Sequence, residues 1–183
     1  MDLPSIFASI VADPRYQRNL DWGEPRSGHP EGTIRAHIQE LEANLEKLKP
    51  RLSGDEFWKL KLLIHVHDTF KPDSAPEIRI TDPRSHASLA RAFLAEYCGD
   101  ADLSAIMQYH DEPYAIFRQT TGKRGPNQER FDALLANIKD WDLFLAFLIV
   151  DGCTVGKPRD PLHWFFAQID GKVESQFSAG DIL

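Results

Sequence analysis

Cysteine is scarce. The 183 residues contain two, Cys98 and Cys153, and neither belongs to a CxxC pair. That excludes a disulfide framework and a cysteine-built structural zinc site, and fits reduced thiols in a cytoplasmic protein. Positive charge is also short. Lys and Arg total 21 against 28 Asp and Glu, for a formal net charge of -7. An acidic surface does not attract a long polyphosphate, so extended nucleic acid is not an expected partner. A small anion in a locally basic pocket is still compatible. Long apolar runs are missing. The longest, Leu143 to Val150, falls far short of the roughly 20 residues that cross a bilayer. The opening Met-Asp-Leu-Pro-Ser-Ile-Phe has no basic stretch and no small-residue cleavage site, which predicts no signal peptide. There is no internal repeat, no low-complexity tract and no convincing alternation of a β-strand.

Helical spacing fills the chain instead. Ile34, His37, Ile38, Leu41, Leu45 and Leu48 recur at three and four residues, and Pro50 stops that helix. Ser53-Gly-Asp-Glu56 is a capping box. The helix it opens carries Phe57, Leu60, Leu63, Ile64 and His67. Asp82-Pro83 reads as a cap with proline at the first helical position. The helix after it takes in His86, Leu89, Ala90, Phe93 and Tyr97. A short helix from Asp102 bears Leu103, Ile106, Met107 and His110, and another holds Phe131, Leu134, Leu135 and Ile138. The run from Leu143 is apolar all round, the mark of a buried helix, and delivers Asp151 at its end. Lys71 to Arg84 and Arg118 to Arg130 read as loops, the second one basic. Apolar helices lie on both sides of each loop. The expectation is therefore one compact all-α domain over residues 1–183, with a metal site between helices.

The metal expectation comes from coincidence. A single histidine on an apolar stripe is usually a satisfied core residue. Here His37, His67, His86 and His110 occupy the inward stripes of four separate helices, and Asp68 and Asp151 stand at helix ends. A buried polar group without a partner costs roughly 1–3 kcal/mol. Four such costs would consume much of a stability of about 5–15 kcal/mol. One divalent cation, or two, resolves the conflict. Imidazole with carboxylate suits Mn, Fe, Co, Ni or Zn, and tolerates Mg. His65 is two residues from His67, faces the other side of its helix and reads as structural, as does His163.

These residues resemble the HD-domain superfamily of metal-dependent phosphohydrolases, whose pattern is a His, a His-Asp doublet and a distant Asp on helices. Here those are His37, His67-Asp68 and Asp151, spanning about residues 28 to 157. Gly28-His-Pro-Glu-Gly-Thr-Ile-Arg-Ala-His37 is similar to the entry of the HD domain in bacterial tRNA nucleotidyltransferases, and Ser85-His86-Ala-Ser-Leu-Ala to the helix after the doublet there. The resemblance implies one metal on His37, His67, Asp68 and Asp151. It implies a second on His86 and His110, with Asp68 as a bridge and Asp111 as a helper. Lys71 stands where the deoxynucleotidase-like branch has an acidic residue, and no GYP signature follows, so neither that branch nor cyclic di-GMP hydrolysis is indicated.

The expected activity is hydrolysis of a phosphomonoester or phosphodiester on a small metabolite, with nucleotides foremost. Asp68 would hold the metal and orient the attacking water, and Lys71 would stabilise phosphoryl charge. Lys157, Arg118, Lys123 and Arg124 would help grip the substrate. The same ligands would serve a diiron oxygenase or a non-catalytic binding module. A homodimer is compatible with the sequence.

Overall fold

α9 (Trp141–Gly152) is the axis of the molecule, because its sequence leaves it no polar face. Every residue from Leu143 to Val150 is buried. Such a helix is stable only when other helices surround it. α3 (Ile34–Leu48) and α4 (Gly54–Val66) pack on it and on each other. The structure, a computed structural model, describes residues 2–120 and 125–183.

The remaining helices complete the shell. α1 (Leu3–Ala12) lies on α4, next to α2 (Pro14–Asn19). α5 (His86–Ala95) and α6 (Ala101–Tyr109) form a tight pair, and α6 leans on α4. α7 (Glu112–Thr120) packs against α8 (Gln128–Asn137) and α10 (Asp160–Ile169). Short 3-10 turns occur at Lys49–Arg51, Lys71–Asp73 and Ala179–Asp181. Among the described residues the only β pairing is an isolated bridge between Arg26 and His29. The fold is all-α. No helix among the described residues is long and apolar enough to cross a membrane.

Local chemistry sets the ends. Ser53 and Glu56 close the expected capping box on α4. Thr33 Oγ1 accepts from Ala36 N–H at 3.2 Å and starts α3. Other boundaries differ from the sequence reading. α5 begins at His86, not beside Asp82, because Ser85 Oγ takes the Ser88 N–H at 3.1 Å. Asp82 instead accepts from Arg84 N–H at 2.9 Å and closes a turn. His67 and His110 are the C-caps of α4 and α6 rather than stripe residues inside them. Arg118 and Arg130 lie on α7 and α8, not in a loop. Arg130 grips the buried Glu112 with two bonds of 2.5 Å, which ties α8 to the start of α7.

The core's centre touches the site. Phe147 of α9 is fully buried, with its ring centroid 5.2 Å from His67 and 6.1 Å from His110. Phe147→Ala should cost about 3–5 kcal/mol. Urea denaturation followed by circular dichroism will measure this, and a loss under about 1 kcal/mol would contradict the packing described.

Candidate metal centre

The helix directions bring the chemistry to one end of the bundle. α3 contributes His37 from its first turns, and α4 contributes His67 and Asp68 just past its last. α5 contributes its first residue, His86. α6 contributes His110 and Asp111 just past its end, and α9 contributes Asp151 in its last turn. Three helix C-termini therefore face this space, and their carbonyl ends favour positive charge there.

The imidazoles form a continuous row. Ring centroids are separated by 5.2 Å from His29 to His37, 5.7 Å to His67, 5.3 Å to His110 and 5.1 Å to His86. Carboxylates sit along it. His37 Nε2 is 3.0 Å from Asp151 Oδ1 and 4.0 Å from Asp68 Oδ2. His67 Nε2 is 3.5 Å from Asp68 Oδ2 and 3.9 Å from Asp151 Oδ1. At the far end His86 Nε2 lies 3.2 Å from His110 Nε2 and 3.1 Å from Asp111 Oδ2. Among the described residues, three donor groups are compact enough to hold a cation: His29, Glu31 and His37; His37, His67 and Asp68; and Asp68, His86 and His110. His37 belongs to the first two and Asp68 to the last two.

The outer ring nitrogens are already committed. His67 Nδ1 lies 3.0 Å from the Ile64 carbonyl and His110 Nδ1 lies 2.8 Å from that of Met107. A carbonyl only accepts, so each Nδ1 carries the proton and each Nε2 presents a lone pair to the centre. His67 Nε2 is buried and has no hydrogen-bond partner. An unpaired buried acceptor of this kind costs stability unless a ligand meets it. The donors thus fit a divalent cation on an observation internal to the site.

Charge agrees with that fit. Burial pushes the His67 imidazole down to about 4, against the pull of Asp68 and Asp151. Burial lowers His110 as well. Burial also opposes protonation of His86, but Asp111 outweighs it and raises that ring. Burial works against the ionised forms of Asp68 and Asp151. For Asp68, His67 and Lys71 overcome it; for Asp151, Lys157 and His37 do, and both carboxyls stay well below the usual range. Asp111 is likewise lowered, with burial overcome by His110 and His86. Lys71 Nζ lies 2.5 Å from Asp68 Oδ2 and Lys157 Nζ 2.7 Å from Asp151 Oδ1. Burial opposes the Lys71 charge, yet Asp68 keeps it raised.

These groups open into a pocket of about 430 Å³. One wall is polar, with His29, Asp68, Lys71 and Lys157. The other is apolar, built from Leu148 of α9, Leu162 and Phe165 of α10, and Tyr114 of α7. Arg118 lines the same pocket. Lys123 and Arg124 lie outside the described residues. His65 is buried on the other side of α4, 2.6 Å from Tyr16 Oη and 3.1 Å from Glu42 Oε1, away from the row. His163 is exposed on α10.

Two site residues escaped the sequence reading. His29 and Glu31 sit in the loop before α3, and Glu31 Oε1 lies 2.9 Å from His29 Nδ1 and 2.8 Å from His37 Nδ1. A search for inward-facing helix positions is blind to a loop. The available signal was the His-Pro-Glu-Gly run itself, with its closely spaced imidazole and carboxylate. The chain matches no protein-family model, no curated protein and no solved structure.

The depressed His67 has a stability consequence. Its folded value lies below the ordinary 6.5, so between about pH 4 and 6.5 the unfolded chain binds the extra proton. Stability from this group is complete above pH 6.5 and is lost as pH falls through that window. The His67 ring resonances should show a neutral imidazole with Nδ1–H down to about pH 4, in NMR spectra of the metal-free protein. A midpoint near 6.5 would refute the buried setting described.

Proposed function

We propose that this chain is a metal-dependent phosphohydrolase of the HD type, acting on a small phosphorylated metabolite, with nucleotides foremost. The observation that carries the reading is the buried, unpartnered His67 Nε2 at the point where His37, Asp68 and Asp151 converge. These four would hold a first divalent cation. His86 and His110, with Asp68 shared, would hold a second, and Asp111 supports them from the rim. A cation there supplies Lewis acidity toward a phosphoryl oxygen and a lowered pKa for a bound water.

The chain's own residues do the rest. Lys71 and Lys157 stand beside the carboxylates at the pocket wall, where each can turn its ammonium toward phosphoryl oxygens that gain charge in the transition state. Asp68, fixed by Lys71, orients the attacking water through its carboxylate. The apolar wall of Leu148, Leu162, Phe165 and Tyr114 excludes water and receives the non-phosphate part of the substrate. A pocket of this size inside a chain of net charge -7 favours a compact anion over a polymer.

The test begins with metal analysis of the purified protein. A phosphatase and phosphodiesterase screen with Mn, Co, Ni and Mg follows. His67→Ala should lose bound metal. Lys71→Ala should keep the metal but lower kcat/KM by roughly 10²–10³-fold, as removal of a transition-state contact does. Unchanged kcat/KM would remove Lys71 from the mechanism. Metal content with turnover that requires oxygen would replace hydrolysis by oxygenase chemistry. Metal content without any turnover would leave a binding module.

A further inference from the structure

The loop before α3 is fixed in place by contacts of its own. Arg26 N–H donates to the His29 carbonyl at 3.0 Å and His29 N–H donates back to the Arg26 carbonyl at 2.9 Å, which closes a tight reversal. Pro30 packs on Gly156, where an added Cβ would lie 2.8 Å from Pro30 Cδ. Gly156 also has φ +82, so a larger residue is excluded twice. The loop so held presents His29 and Glu31 beside His37, and His29 also lines the pocket.

The proton on His37 can be placed. Burial works against the ionised form of Asp151, yet Lys157 and His37 hold its carboxyl well below the usual range. An ionised carboxylate only accepts, so His37 Nε2 is the donor across the 3.0 Å to Asp151 Oδ1. The other nitrogen of that ring, Nδ1, then carries a lone pair. It is buried, has no hydrogen-bond partner and lies 2.8 Å from Glu31 Oε1. Glu31 is ionised too: burial opposes it, but its bond to His29 keeps the carboxyl lowered. A lone pair and an anionic oxygen this close repel, and a cation between them makes the contact favourable. Glu31 Oε2 is also buried without a partner, on a side chain only 5% exposed. Two unsatisfied acceptors side by side are costly unless a ligand meets them.

We infer that His29 Nδ1, the Glu31 carboxylate and His37 Nδ1 form a cation site of their own, apart from the two positions proposed above, for a transition ion such as Zn²⁺. The three residues bring donor atoms within 4.8 Å of one another. Donors about 2.1 Å from one ion and at right angles to each other stand about 3.0 Å apart, close to the 2.8 and 2.9 Å that separate Glu31 Oε1 from the two Nδ1 atoms. Two imidazoles and one carboxylate favour Zn²⁺, Co²⁺ or Ni²⁺ over Mg²⁺. Three protein donors leave a coordination position open, and the pocket that His29 lines gives the ion its way in. The ion takes the place of the proton that His29 Nδ1 shares with Glu31, and the His29 ring then carries its proton on Nε2. His37 serves this ion through Nδ1 while its Nε2–H stays on Asp151, so His67, Asp68 and Asp151 are left for the first position. The site stands on its own donors, whether or not that position takes a metal.

The test adds Zn²⁺ to the metal-free full chain and to His29→Ala, Glu31→Gln and His67→Ala, and counts bound metal by titration calorimetry. His29→Ala and Glu31→Gln should each lose one equivalent that His67→Ala retains. Glu31→Gln is isosteric and guards against misfolding. In long-range ¹H–¹⁵N spectra of the parent chain, Zn²⁺ should shift Nδ1 of both His29 and His37, and it should shift neither in Glu31→Gln. Equal Zn²⁺ content in the parent chain, His29→Ala and Glu31→Gln would overturn the inference. So would Nδ1 signals of His29 and His37 that Zn²⁺ leaves unmoved. Loss of metal in His67→Ala alone would overturn it while sparing the phosphohydrolase reading. Loss in His29→Ala and Glu31→Gln alone would support the loop site and count against the first position.

Discussion

Two carboxylates at the C-terminal ends of helices, Asp68 buried and Asp151 partly buried, govern this structure. Asp68 follows α4 and Asp151 ends α9, so each negative charge sits where the helix carbonyls already concentrate negative potential. Side-chain exposure is only 8% and 19%, so water relieves little of it. Everything nearby can be understood as compensation. Lys71 and Lys157 reach in with ammonium groups, and His37 lies between the two acids. Deleting either lysine leaves a charge that the fold cannot solvate, which is why buried pairs are costly to break even when their formation gains little.

The rest of the bundle holds that cluster still. α9 has no polar face and is enclosed by α3 and α4, so its register along them is set by close packing rather than by a few contacts. His67 and His110 stack edge-on against Phe147 and are pinned by the backbone carbonyls of Ile64 and Met107. A His/Asp cluster drawn from five helices would be loose if the helices could slide. Here the apolar side of each helix end fixes position while the polar side carries chemistry.

Much of this was legible in the sequence, and the reasons are specific. The period of three and four residues marked α3, α4 and α9, and inward spacing picked out His37, His67, His110 and Asp151 as neighbours in space. Boundaries were less legible. Pro83 looked like a helix start, but Ser85 offers a hydroxyl that meets the Ser88 N–H and also donates to Ile80, and that second contact is tertiary. Arg118 and Arg130 looked like loop cations because Gly122, Gly125 and Pro126 lie between them. The pairing of Arg130 with Glu112 across α7 and α8 has no local signature. The apolar wall of the pocket was invisible for a similar reason. Leu148, Leu162 and Phe165 are ordinary core residues in sequence, and only the tertiary meeting of α9 and α10 brings them to one cavity.

His29 and Glu31 show where the two kinds of information part. Periodicity locates residues that a regular element aims inward, and it assigns no direction to a loop. The loop is set by the local Arg26–His29 reversal and by Pro30 lodged on Gly156, a contact between segments far apart in the chain. That arrangement divides labour. Helices α3, α4, α5, α6 and α9 supply side chains whose spacing follows from packed backbones, and one loop adds His29 and Glu31 beside His37. A change in the loop can therefore shift His29 and Glu31 without moving the helices. Changes in the helices move several donors together.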